Sequence, residues 1–250
     1  MATDDPLLYV CVRPQAGAAA AEYRSFLTAT RLAPTQLDQH DLVRNPLPDH
    51  VFDRYSGFLI GGSPFNITDP DSSKNDSQRR LEFELERIAQ RAAAAQTAAL
   101  FTCYGIGIVT RMLGGTVSRA WPEDTGPVAI ELTRNGQRDP LLGGLASRFT
   151  ALTAHKEGAA EAPPGSILLA TNPACPVQAY RSGDRLYATQ FHPEPTTRDF
   201  TERMAVYRND GYFAADAYDA IASRVHAASV TEPARLLRTF ARSFGPAGPA

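Results

Sequence analysis

Apolar and polar positions follow two periods along this chain. Residues 7–12 (LLYVCV) form a continuous apolar run, the pattern of a strand covered on both faces. Residues 18–30 predict a helix and residues 35–41 a second strand. Pro46 and Pro48 mark a loop. Residues 55–60 read as a third strand, which runs directly into Gly61-Gly62-Ser63-Pro64. Residues 65–76 are polar, with Asp and Asn throughout, and read as a surface loop. Residues 77–95 predict a strong helix. Leu81, Leu85 and Ile88 make an apolar stripe, Arg and Glu fill the other faces as a solvated surface, and Asp76 or Ser77 is placed to cap it. A β-prone run over residues 98–102 stops at Cys103, and residues 108–113 can form the next helix. This βαβα rhythm predicts a mainly parallel sheet with helices on both faces. Sites in such sheets form beyond the carboxyl ends of the strands, where Gly61, Gly62 and Cys103 all fall.

After Gly114-Gly115 the texture changes. Residues 128–133, 149–153, 167–170, 177–181 and 186–190 are short and β-like, with Gly, Pro, Asn and Asp in the turns between them. Residues 181–185 (RSGDR) read as a hairpin connection. This half is expected to extend the sheet with antiparallel strands. Residues 198–207 and 214–227 then read as helices, the latter with Tyr218, Ile221 and Val225 at helical spacings. A last helix is expected to open at Thr231-Glu232-Pro233, with Thr231 as cap and Pro233 in the first turn. Its stripe of Leu236, Leu237 and Phe240 is expected to pack on the sheet, with Arg235, Arg238 and Arg242 solvated beside it. Residues 245–250 are rich in Gly, Pro and Ala and are expected to fray. The domain expectation is therefore an α/β domain over residues 1–195 and a helical extension over residues 196–250 packed on it.

Composition narrows the function classes. A chain of 250 residues with 43% hydrophobic content can bury a sizeable core. A net charge of −2 gives no reason to expect nucleic acid or an anionic membrane as partner. Cys11, Cys103 and Cys175 are odd in number and far apart, which suits neither a disulfide framework nor a zinc site; Cys11 falls inside the first strand and reads as core. No signal segment or bilayer-length apolar run is evident, so a soluble cytoplasmic protein is the expectation.

The chemistry concentrates at Cys103. Strand, tight turn and helix follow one another across TAALFTCYGIG, the frame of a nucleophile elbow. A cysteine there gains from the positive end of the helix, and the N–H of Tyr104 is free to stabilise an oxyanion. A buried structural cysteine at a strand end fits the same stretch. The last short strand ends in Phe191-His192-Pro193-Glu194. A cysteine nucleophile needs a base, and the base needs an acceptor to fix its tautomer. His192 and Glu194 supply both in one compact turn.

Cys103-Tyr104-Gly105 together with Gln190-Phe191-His192-Pro193-Glu194 resembles the class I, or triad, glutamine amidotransferases, in particular the glutaminase domain of GMP synthase. Ile60-Gly61-Gly62-Ser63-Pro64 resembles that family's oxyanion strand. Leu113-Gly114-Gly115-Thr116-Val117 resembles the segment after the nucleophile helix, and Ala154-His155-Lys156-Glu157 its later His-containing stretch. The resemblance runs from about Leu7 to Pro195. It implies a flavodoxin-like α/β fold and a glutamine-hydrolysing reaction without a cofactor. In that reaction Cys103 attacks the amide carbon, His192 moves the proton, Glu194 orients His192, and the N–H groups of Gly62 and Tyr104 form the oxyanion hole. Gly61, Gly107 and His155 are the substrate-pocket candidates, His155 in a structural or substrate-adjacent role. Two positions depart from the family pattern: Phe101 stands where a Gly is usual, and Gly107 where a Gln is usual and would touch the substrate. About fifty residues follow Pro195, so a stand-alone protein is expected, with a separate ammonia-accepting synthetase subunit as the implied partner. The expected substrate is glutamine. Another γ-glutamyl amide, for which Gly107 would open the pocket, and a non-catalytic or partner-dependent binding subunit are the alternatives.

Overall fold

In a computed structural model, residues 5–246 are described. The elements are β1 (Leu7–Cys11), α1 (Ala16–Thr30), β2 (Leu37–Asp41), α2 (Val51–Arg54), β3 (Gly57–Ile60), α3 (Asp76–Ala93), β4 (Ala98–Thr102) and α4 (Tyr104–Met112). They continue as β5 (Glu123–Leu132), β6 (Arg148–His155), β7 (Ser166–Thr171), β8 (Ala179–Ser182), β9 (Leu186–Thr189), α5 (Thr197–Val206), α6 (Tyr218–Ala227) and α7 (Pro233–Phe244). One nine-stranded sheet runs β2-β1-β3-β4-β9-β8-β7-β5-β6. The pairs from β2 to β9 are parallel, and those from β9 to β6 are antiparallel. This is the expected flavodoxin-like α/β layout with its antiparallel extension. The parallel half brings the carboxyl ends of β1, β3, β4 and β9 to one edge.

The apolar runs are continuous because each central strand feeds two cores. Leu7, Tyr9 and Cys11 of β1 join Leu59 and Leu100 on the face covered by α1 and α7. Leu8 and Val10 join Phe58, Ile60, Ala99 and Phe101 on the face covered by α3 and α4. Leu236, Leu237 and Phe240 of α7 are fully buried in the first of these cores, as their stripe predicts. Ile221 and Val225 of α6 pack with Phe200 and Met204 of α5 over Leu152 of β6. Among the described residues no helix is long and apolar enough to cross a membrane.

Several local expectations need correction. The cap of α3 is Asn75, which accepts the Gln78 N–H at 2.8 Å, in place of Asp76 or Ser77. At α7 no side chain caps the helix and Thr231 stays outside it; Pro233, whose missing N–H costs nothing there, opens it instead. Helix α4 begins at Tyr104, four residues before the apolar run suggests, because the elbow turns directly into it. The charged face of α3 is only partly solvated. Glu82 is buried and binds Lys74 at 2.9 Å, Arg111 at 3.0 Å and the Tyr104 hydroxyl at 3.1 Å, so it clamps α3 to α4. The expected fraying concerns residues 245–250, of which 247–250 lie outside the described residues.

Candidate active site

Cys103 sits at the end of β4 with φ 51° and ψ −103°, a conformation that side-chain-bearing residues rarely adopt. Its neighbours enforce it. The Cys103 N–H donates to Thr189 O of β9 at 2.8 Å, and its carbonyl accepts the Ile106 N–H at 3.1 Å to start α4. Phe101 is fully buried and explains the glycine that follows, since a Cβ on Gly105 would stand 3.0 Å from its ring. The elbow therefore accommodates Phe101 through Gly105. The Cys103 thiol faces Ala154 O at 3.8 Å, and the residue is 6% exposed where Cys11 and Cys175 are 0%.

His192 reaches the same point from β9. Its N–H donates to Leu152 O at 2.9 Å, which ties the turn to β6. Its Nδ1 lies 2.9 Å from Glu194 Oε1, and the ring faces Cys103. Burial by itself would lower the His192 pKa, but the Glu194 carboxylate and then the Cys103 sulfur outweigh it and raise it to about 9. Burial would likewise raise Glu194, yet His192 and Arg203 hold it well below the usual carboxylate range. A cysteine beside an imidazole that a carboxylate orients is the arrangement of an activated thiol nucleophile.

The carboxylate is held in turn by a buried charge network that sequence reasoning missed. Arg203 of α5 donates to Glu194 Oε1 at 2.8 Å and to Glu22 Oε1 of α1 at 3.0 Å. Glu22 also accepts from Arg13 Nε at 2.9 Å and from the Tyr9 hydroxyl at 2.7 Å, and Arg13 reaches the Tyr207 hydroxyl at 3.1 Å. Two arginines and two carboxylates thus share one buried region. The only signal in the sequence was a Glu that follows the Ala-rich first turns of α1.

The diglycine needs a different account from the one expected. The Gly61 N–H is taken by Val10 O at 3.2 Å, and the space of its missing side chain is filled by the Glu22 carboxylate, so Gly61 lines no substrate cavity. The Gly62 N–H donates to Glu22 Oε1 at 3.2 Å, which occupies the donor expected in the oxyanion hole. Gly62 is glycine for space: a Cβ there would lie 2.8 Å from both His192 Cε1 and Arg13 Nη2. The next residue, Ser63, lines the cavities on both sides of Cys103, and among the described residues its N–H has no hydrogen-bond acceptor. Tyr104 offers its N–H at the first position of α4, where no intrahelical partner exists.

One cavity, about 440 Å³ with its mouth, is lined by Cys103, Tyr104, Gly107, His155, Glu157 and Gln190 among others. Gly107 does border it. However, a Cβ there would meet Ile67 Cγ1 at 2.9 Å, so Ile67 fills the space of the usual Gln and the pocket is not opened at that point. Ile67 is fixed because Glu157 accepts its N–H at 2.7 Å and the Thr68 N–H at 3.0 Å. His155 lines the cavity wall and is anchored from behind. Its Nε2 lies 2.8 Å from Glu123 Oε2, which also accepts from Gln178 at 2.6 Å. Gln178, given no chemistry from sequence, thus braces the strand end that carries Ala154. Among the described residues two clusters offer metal-ligating atoms: Glu123 with His155 and Cys175, and Glu22 with His192 and Glu194. Hydrogen bonds already engage the carboxylates of both, and burial and then Glu123 push the Cys175 thiol up to about 12, which keeps it protonated.

Comparison with known proteins gives the family and the fold. The profile of the family Glutamine amidotransferase class-I matches residues 36–210. GMP synthase [glutamine-hydrolyzing] of Thermus thermophilus is 30% identical over 150 residues, 60% of this chain and 26% of that protein. Gamma-glutamyl peptidase 3 of Arabidopsis thaliana is 27% identical over 165 residues, 64% of this chain and 63% of that one. The chain therefore spans about a quarter of the length of the GMP synthases it matches. The crystal structure of a glutamine amidotransferase from Thermotoga maritima superposes with a TM-score of 0.73 at 14% identity, covering 97% of this chain and 98% of the other, a likeness of fold. The profile covers well over half of the sequence, and the chain belongs to the class-I glutamine amidotransferase family.

Proposed function

We propose that this chain is a thiol hydrolase of γ-glutamyl amides, glutamine among them, with Cys103 as nucleophile, His192 as proton carrier and Glu194 as its orienting carboxylate. The observation that carries the reading is the strained elbow Cys103 facing an imidazole whose Nδ1 is held 2.9 Å from Glu194. Cys103 Sγ attacks the amide carbon, and the carbonyl π pair moves onto oxygen. The N–H groups of Tyr104 and Ser63 stabilise that oxyanion, Ser63 replacing the expected Gly62 because Glu22 holds the Gly62 N–H. As the C–N bond breaks, His192 gives its proton to the departing nitrogen and ammonia or an amine leaves. Water, deprotonated by His192, then cleaves the γ-glutamyl thioester, releasing glutamate and restoring the thiol. Release of ammonia is useful to a synthetase that consumes it, and such a subunit is the partner we assign.

The test is glutamate release from glutamine and simple γ-glutamyl amides by the purified chain, with Cys103→Ala as control. Loss of release in the variant is the expected result. Alkylation is expected at Cys103 alone, because Cys11 and Cys175 are fully buried. No release together with an inert Cys103 would overturn the catalytic reading and leave a binding subunit. No release from a readily alkylated Cys103 would assign an enzyme that needs its partner.

A further inference from the structure

We propose that a second cavity, between His192 and α5, receives the leaving amine of the substrate, and that this amine carries a neutral aromatic or comparably large apolar group. The inference rests on the thiol-hydrolase reading above and assigns its substrate class.

Two cavities meet at Cys103 and share Ser63, Cys103, Ala154 and Tyr212 in their walls. His192 lines only one of them. The group that protonates the departing nitrogen must face it in the transition state. The acyl half of the substrate therefore occupies the cavity bordered by Tyr104, Gly107 and Glu157, and the amine half occupies the cavity bordered by His192. The two are similar in size, about 440 Å³ and 410 Å³ with their mouths. The space open to the centre of a water is about 40 Å³ in the amine cavity, against the roughly 10–15 Å³ that one water, or an ammonia of the same bulk, needs, so the cavity has room for more than the ammonia of glutamine.

Its wall states the chemistry of the missing group. Phe200, Met204, Tyr207, Tyr212 and Phe213 contribute apolar and aromatic surface. Arg13 and Arg203 also border it, but each is already paired with buried carboxylates, Glu22 for Arg13, and Glu22 and Glu194 for Arg203. These two positive charges are balanced by two negative ones, so the guanidiniums offer no surplus charge to an ionic substituent; the remaining charge in the wall is the protonated His192, which is committed to the leaving nitrogen. The chemical step is the one above: the C–S bond forms, the C–N bond breaks, the proton of His192 goes to nitrogen, and RNH2 leaves in place of ammonia.

The purified full-length chain is assayed for glutamate release from glutamine, γ-glutamyl methylamide, γ-glutamyl benzylamide and γ-glutamyl aspartate, with Cys103→Ala as blank. The expected kcat/KM for the benzylamide exceeds that for each of the others by about tenfold or more. In Met204→Trp, which fills the cavity, the ratio of benzylamide to glutamine kcat/KM is expected to fall by about tenfold, and near-ultraviolet circular dichroism checks that the variant is folded. Thiol-dependent turnover that favours glutamine or the methylamide would overturn the proposal and leave the hydrolase reading standing, with the cavity then an exit for ammonia. Turnover of none of the amides by a chain whose Cys103 is inert would remove both.

Discussion

Gly62 shows how little room the site has. A methyl group there would lie 2.8 Å from the imidazole and 2.8 Å from the Arg13 guanidinium, and 3.5 Å from Cys103 Cβ. Gly62→Ala must push His192 away from Cys103, and displacements of this kind cost about a hundredfold in rate. We expect that loss in kcat/KM for glutamate release, with the thermal midpoint changed much less. His192 itself sets a pH limit. Its pKa near 9 means that the protonated ring, able to donate to the leaving nitrogen, is lost as pH rises through that value. The alkaline limb of kcat/KM is therefore expected near pH 9. Glu194→Gln removes the largest contribution that raises this pKa, so the limb should move down toward the ordinary histidine value. The stability linkage has the same sign: a raised folded-state pKa contributes stability in full below about 6.5, and that contribution fades as pH rises through 9. Urea titrations at pH 6 and pH 9.5 measure it, and the difference should shrink in Glu194→Gln.

Helix α5 contributes more than cover to the site. Its capping box, Thr196 with Asp199, starts the helix immediately after the Glu194 turn, and one side of it carries Phe200, Arg203 and Met204 inward. Arg203 is the positioning residue of the group, since it touches Glu194 and Glu22 and not the thiol. Arg203→Met leaves both carboxylates short of a partner, and breaking a buried pair from one side destabilises by roughly 3–5 kcal/mol. A purely structural role would end there. A positioning role predicts also that an unneutralised Glu194 acts more strongly on His192, so the alkaline limb should move up, opposite to its movement in Glu194→Gln. Arg203→Lys should recover part of the stability and return the limb toward its original place. Unmoved limbs in both variants would reduce Arg203 to a packing residue.

Across the whole molecule, the end of the chain and its beginning share a core. Phe240 of α7 is fully buried in the same cluster as Leu7, Tyr9 and Phe26. Phe240→Ala is expected to cost about 3–5 kcal/mol, read by denaturant unfolding, while kcat per folded molecule stays near the parent value because α7 lies away from Cys103. Unfolding is expected to be a single transition that takes residues 196–250 with the rest. Two resolved transitions would instead separate that extension from the preceding residues.

What the sequence determined by itself was local or periodic. The double-faced apolar runs of β1, β3 and β4, the stripe of α3 and the stripe of α7 depend on residues close along the chain, and all of them are found in the structure. The Cys103 elbow and the His192–Glu194 pair were legible for the same reason, since a strand–turn–helix frame and an i, i+2 spacing are short-range features. Only the tertiary structure decided what lies between distant segments. Glu22, Arg13 and Arg203 come from three separate stretches, and nothing in any one of them announces a shared buried network. Which glycine N–H was spoken for depended on that network, and the donor at Gly62 is taken by Glu22. Ile67, forty residues before Gly107, filled the gap that a missing Gln appeared to open. Short-range pattern encodes elements and turns because their hydrogen bonds close locally. Partners for buried charge, and the occupancy of space, are settled only when the sheet brings remote side chains into contact.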